Sequence, residues 1–300
     1  KGTIAKLQYG EQPIVENSNF QLNAFRAFVN NDVWAYQQWF NKGLHNLQHK
    51  ALSHKVTKNA NGSYSFAFTV QSQAPNGAQL IGKPSAADHQ IKEFTDRPFD
   101  NDNFRFVTNQ VFTVYPDGSI ELQAAIASNE PTAVLPQIGY QLKLPKQFKY
   151  ATYYGRGPQD NYSDRKTGAF VGIYNDEVTF LLPEGGSSFP KPQDMGHHQD
   201  THWVALKNDD NKTGVLLVAN PTMDFSALAH SPQQLTLAGH PYQLPESDAT
   251  YLQISTGATG VGGNSCGPTP LVRDRVTASP THFGFIIRPI EISTSATDEN

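Results

Sequence analysis

His198, Asp200 and His202 recur at every second position, and on an extended strand that spacing points all three side chains to one face. Two imidazoles and a carboxylate so arranged would hold a divalent cation with positions left open. No metal is assigned on this basis; the triad stands as the alternative to a merely polar strand. His45 and His49 are four apart, as neighbours on a helix face are, but they lack the glutamate of a His-Glu-x-x-His zinc motif. Arg156, Asp160, Asp164 and Arg165 sit close enough in sequence to pair through planar, charge-assisted hydrogen bonds around one corner. A different chemistry is offered by Gly257, Gly260, Gly262, Gly263 and Gly267, which bare the backbone around Asn264, Ser265 and Cys266. Such a loop lets a partner approach closely and presents short polar or polarisable tips. Its structural alternative is a tight inter-strand loop with a buried Cys266, because an unpaired cysteine usually packs as a small hydrophobe. Arg26, Asn30, Asn31 and Asp32 form a polar segment directly after an apolar one. That segment either caps a following helix or touches another surface.

The elements that must position these groups are mostly strands. Residues 63–70 alternate cleanly after Asn61-Gly62, and residues 104–115 do the same before Pro116-Asp117-Gly118. Alternation resumes at Ser119, so residues 115–119 read as a hairpin connection. Residues 213–219 and 283–288 read as further buried strands. Helix is expected only over residues 33–43, capped by Asp32, and at residues 231–235, where Ser-Pro opens a helix well. Residues 71–102 are polar and rich in Pro, Gly and Asp, and read as an insertion loop; residues 293–300 read as a frayed tail. After Tyr153-Tyr154, Gly155 and Gly157 allow positive φ or close backbone approach and Pro158 fixes its own φ, which predicts a rigid, sharply turned loop.

Composition removes several function classes. A net charge of -4 gives no electrostatic footprint for nucleic acid or an anionic membrane, and no stretch approaches the uninterrupted apolar length of a spanning helix. The one cysteine excludes an internal disulfide and a thiolate metal cage. With 23 glycines and 20 prolines the chain carries the punctuation of many short strands and turns. Gly263-Asn264-Ser265-Cys266-Gly267 spells Gly-x-Ser-x-Gly but runs into Pro268 and cannot open the helix a nucleophile elbow needs, and no phosphate loop is present. Gly260-x-Gly262-Gly263 leads into Asn-Ser-Cys-Gly-Pro, which cannot open a helix, so a dinucleotide-binding reading fails. Lys1-Gly2-Thr3 shows neither an initiator methionine nor the layout of a signal peptide, and the chain reads as a piece of something longer.

The string Tyr153-Tyr154-Gly155-Arg156-Gly157-Pro158-Gln159-Asp160-Asn161-Tyr162-Ser163-Asp164-Arg165 resembles the Gly-Arg-Gly-Pro…Asn-Tyr…Asp-Arg signature of the C-terminal domain of large, lactose-cleaving β-galactosidases of glycoside hydrolase family 2. Phe25-Arg26-Ala27-Phe28 followed by Asn30-Asn31-Asp32 is similar to that domain's Phe-Arg-Ala-Pro…Asn-Asp loop, with Phe28 where proline is usual. Residues 260–268 resemble its Gly-rich loop. The resemblance implies an all-β fold, a large antiparallel two-sheet supersandwich of the galactose-mutarotase-like type with few short helices. It implies one domain over residues 1–300, at the C-terminal end of a larger enzyme, with at least one opening strand before Lys1.

It further implies retaining hydrolysis of terminal β-D-galactosyl residues by two glutamates of a (β/α)8 barrel. None of the 27 acids here stands out as half of such a pair, and strands do not alternate with long helices. No catalytic residue is therefore assigned, and the fragment alone is expected to be inactive. No cofactor is assigned to it either; a divalent metal or sodium would belong to the other domains. By the resemblance, Asn264, Ser265 and Cys266 would wall the galactoside pocket where some members carry tryptophan. Arg26, Asn30, Asn31 and Asp32 would contact the barrel domain, and the enzyme would be a homo-oligomer. Two alternatives stand: an aldose epimerase, which needs a His and a Glu converging on one concave face, and a carbohydrate-binding module with Trp34, Trp39 or Trp203 as platform.

Overall fold

In the computed structural model of the chain, the structure describes residues 1–17, 19–74, 76–81, 90–96, 102–178, 191–208 and 213–291. The alternating segments become strands for the expected reason: burying every second side chain on one face. Phe106, Thr108, Gln110 and Phe112 turn inward from the strand Phe106–Val114, and Ile120, Leu122, Ala124 and Ile126 from Ile120–Ser128. The connection between them is the predicted turn. Gly118 takes φ +82°, the Tyr115 amide donates to the Ser119 carbonyl at 2.9 Å, and Asp117 accepts from the Ser119 amide and hydroxyl.

The larger layer is antiparallel throughout and runs in the order Phe170–Glu177, Tyr150–Gly157, His198–Lys207, Thr213–Leu228, Thr281–Glu291, Ile120–Ser128, Phe106–Val114, Tyr64–Gln73 and Gln48–Lys58. Thr213–Leu228 serves two layers. Its first half pairs with Thr281–Glu291 and its second, from Asp224 to Leu228, with Ala249–Ala258. Ala249–Ala258 pairs in turn with Gln137–Pro145, which pairs with Phe20–Asn23. The expected two sheets are thus one hydrogen-bonded set folded over its own core. Phe20 and Tyr140 of the smaller layer meet Phe112, Phe283 and Phe285 of the larger one, with ring centroids 5.6 to 6.4 Å apart. Among the described residues no helix is long and apolar enough to cross a membrane.

Helix is scarce, as expected, but begins elsewhere. A 3-10 turn occupies Asn30–Trp34, and the α-helix is only Tyr36–Asn41. Ala35 precedes it without a side-chain cap, so Asp32 does not cap it; Asp32 points inward to Arg26 instead. His45 therefore lies in the turn Leu44–Asn46 and His49 on the strand Gln48–Lys58, and the helical spacing of these two histidines dissolves. The helix Pro232–Leu237 forms as read, with Ser231 Oγ accepting from the Gln234 amide and Gln234 Oε1 from the Ser231 amide. Residues 71–102 are not simply a loop. Tyr64–Gln73 reaches into them, and Asn76–Ile81 pairs with Gln90–Asp96. The remaining stretches at 82–89 and 97–101, and the tail at 293–300, lie outside the described residues.

Candidate functional site

Three segments remote in sequence meet at one corner. The first is built on Arg26, whose two terminal nitrogens grip both oxygens of Asp32 at 2.8 and 3.0 Å. Arg26 also donates to the carbonyls of Ala27 and Thr259, and its guanidinium lies over Trp39 and Tyr162. Arg26 is 1% exposed and Asp32 fully buried. Burial alone would lower the Arg26 pKa, but Asp32 and Asp194 outweigh it and hold the cation. A charged pair six residues apart usually signals solvent, and this one is interior because Phe25, Ala27, Phe28 and Val29 around it are core. That apolar flank is the signal a sequence reading can use. The Arg26 and Asp32 side chains turn into the chain's own interior, whereas Asn30 is exposed and Asn31 reaches the Gly-rich loop.

The second segment follows Tyr150–Gly157. Of the expected pairings, Asp164 and Arg165 stand 3.9 Å apart, but the hydrogen bonds of Arg156, Asp164 and Arg165 reach outward. Arg156 binds Asp200 and the Ala169 carbonyl. Asp164 accepts from the amides of Val261 and Gly262 at 3.1 and 2.6 Å, and Arg165 donates to the Gly262 carbonyl. A carboxylate on two adjacent backbone N–H groups is a strong, oriented clamp. Only glycine fits at 260, where an added Cβ would stand 2.7 Å from the Asp164 carboxyl carbon. Gly157 likewise takes no positive φ but abuts the Tyr153 hydroxyl.

The third segment is the loop at 260–268 itself. Asn31 donates to the Gly262 carbonyl and accepts from both the amide and the hydroxyl of Ser265. Asn264 closes the loop onto the Gly267 carbonyl. Ser265 and Cys266 are exposed, so the buried-cysteine alternative is set aside. Cys266 should therefore react with a thiol reagent in the folded chain at mildly alkaline pH, at nearly the rate of the denatured chain; protection until denaturation would contradict this placement.

Behind the corner lies a buried polar net that the sequence did not single out. Tyr162 donates to Asp194 at 2.6 Å and stacks on His197, whose Nδ1 lies 2.9 Å from the Asn161 carbonyl. Asn161 accepts the Gln199 amide, and Gln199 donates to Asp224. Burial raises the carboxyl pKa of both Asp194 and Asp224, against the opposing pull of Arg26 on the first and His197 on the second.

The net also explains why the His198, Asp200, His202 triad fails as a metal site. The register shifts on both sides of Thr201, and Asp200 takes φ +51°. His198 is buried against Phe225 and Tyr153, whereas His202 is exposed and stacks on Tyr154. Asp200 is committed to Arg156 and Lys166. Among the described residues no three His, Cys, Asp or Glu side chains are grouped to hold an ion. Of the expected platform residues, Trp39 is core with its indole N–H on the Val134 carbonyl and Trp34 is covered by Arg275. Trp203 is partly buried on its strand.

The family model described as "Beta galactosidase small chain" matches residues 1–287. The chain belongs to that family. A β-galactosidase of Priestia megaterium is 34% identical over 153 residues, 51% of this chain and 14% of that protein. One from Actinobacillus pleuropneumoniae is 23% identical over 269 residues, 89% of this chain and 23% of the relative. The small chain thus spans a minor part of the β-galactosidases it matches. A galactose mutarotase related enzyme from Lactobacillus acidophilus superposes with a TM-score of 0.36 at 12% identity, covering 81% of this chain and 72% of the other.

Proposed function

We propose that this small chain is the rim-forming C-terminal domain of a retaining β-galactosidase that acts on terminal β-D-galactosyl residues such as those of lactose. The observation that carries the reading is the exposed tip at Ser265 and Cys266 beside the half-buried Asn264, clamped from behind by Asn31, Asp164 and Arg165. In this reading the tip walls the sugar pocket, and Arg26 and Asp32 position it from the interior. The paired carboxylates come from a barrel elsewhere in the enzyme, as would any metal, and whole enzymes associate as homo-oligomers. An epimerase finds less support: the cavity that holds His45 and His49 has no glutamate among its lining residues, and Glu16 lines only the adjoining one.

Two results are expected. The chain alone does not turn over a chromogenic β-galactoside, and activity that persists through repeated purification would refute this. In the assembled enzyme, Asp164→Ala raises KM about tenfold, the scale of losing charge-assisted hydrogen bonds at one loop, with little change in melting temperature. An unchanged KM would separate the loop from the substrate site.

A further inference from the structure

The smaller layer buries Tyr140, Leu142 and Leu144 in the core, so Gln141 and Lys143 face the other way. On that outer face Gln141 stands between Gln21 and Gln253, and Lys143 opposite Tyr251. The turn Leu44–Asn46 and the helix Pro232–Leu237 overhang this face, joined where Gln233 donates to the His45 carbonyl. Between them is a cavity of about 350 Å³ lined by Gln21, Gln141, His45, His49, Gln233 and Tyr251. A second cavity of about 330 Å³ shares Asn19 and Lys143 with it, so the two form one groove.

Three polar atoms here are buried without a partner: Gln141 Oε1, His45 Nδ1 and, just behind, Gln253 Nε2. Gln253 Oε1 is already taken by Asn23 and Gln137, which orients its amide nitrogen. Buried polar atoms left unpaired are costly and call for an explanation. The lining is rich in hydrogen-bonding groups yet balanced in charge, because Lys143 is paired with Asp248 at 2.7 Å. We propose that this groove is a second ligand site, separate from the loop at 260–268, that binds a neutral glycan of about disaccharide size through Gln141, Gln233 and His45. The volume lies in the range of small-molecule pockets, ~300–1,000 Å³. Burial holds the His45 and His49 rings at a pKa of about 4, so they are uncharged near neutrality and favour neither an anion nor a cation.

The test titrates the 300-residue chain with maltose and lactose, with glucuronate and inorganic phosphate as charged controls, by calorimetry and by NMR of the side-chain amides. Both neutral sugars should bind and shift the Gln141 and Gln233 amide resonances, and the charged controls should not. Gln141→Leu and the more peripheral Gln233→Ala should each weaken binding at least about fivefold. No shift at these amides, or binding indifferent to both glutamine substitutions, would overturn the site. None of these outcomes depends on whether the loop at 260–268 walls a galactoside pocket.

Discussion

Arg26→Met should destabilise the folded chain by about 3–5 kcal/mol, the scale of breaking a buried ion pair by removing one partner. The loss is large because Asp32 is fully buried and would be left without its counterion. Asp194 would also lose the cation that opposes its desolvation. The bidentate grip, the contact to the Thr259 carbonyl and the stacking on Trp39 would disappear together. Replacing both partners, Arg26→Met with Asp32→Leu, should recover much of that loss, because two apolar groups leave no charge uncompensated. Urea unfolding of the three proteins measures this. A single substitution costing under about 1 kcal/mol would mean that the pair is solvated as a surface bridge is.

Acid should unfold the chain through its histidines. Burial lowers His45, His49 and His198 from 6.5 to about 4; for His198 the Arg156 carbonyl opposes that shift weakly and for His49 the Lys1 charge adds to it. The unfolded chain then binds protons that the folded chain refuses between pH 6.5 and 4. The stabilisation is complete above 6.5 and is lost as pH falls through that window. Each histidine contributes a slope of roughly 1.4 kcal/mol per pH unit, and His198, enclosed by Tyr153 and Phe225, up to roughly 3 kcal/mol in all. Asp194 and Asp224 act in the opposite sense, since their raised values favour the folded state at low pH and lose that contribution as pH rises. Comparing unfolding at pH 7 and pH 5 for the parent chain and His198→Phe checks the sign. The variant should show a shallower pH dependence, and an unchanged slope would contradict the assignment.

What the sequence made legible is local chemistry. The Tyr-Pro-Asp-Gly-Ser turn, the Ser231 cap and the alternation of residues 104–115 each depend on neighbours a few positions away, and each formed as read; residues 64–70 form a strand, but its burial does not alternate. The failures depend on pairing with distant chain. Period two across His198, Asp200 and His202 breaks because the strand bulges against Met223 and Phe225, and nothing local announces that bulge. Asp164 was visible as a charge near Arg165, but its partners are amides 97 and 98 residues away. Asp194 and Asp224 carried no motif at all. The loop at 260–268 was found through its glycines, whereas the clamp that shapes it appears only in three dimensions.

Cys266 reports directly on whether that loop faces the substrate. Its alkylation rate should be measured in the assembled enzyme, with and without a saturating, non-hydrolysable galactoside analogue. The account predicts rapid modification of the isolated chain, slower modification once the remainder of the enzyme is in place, and a further slowing when the analogue fills the pocket. A rate in the assembled enzyme that is equal to that of the isolated chain and indifferent to the analogue would place the loop away from the sugar and contradict its role as a pocket wall.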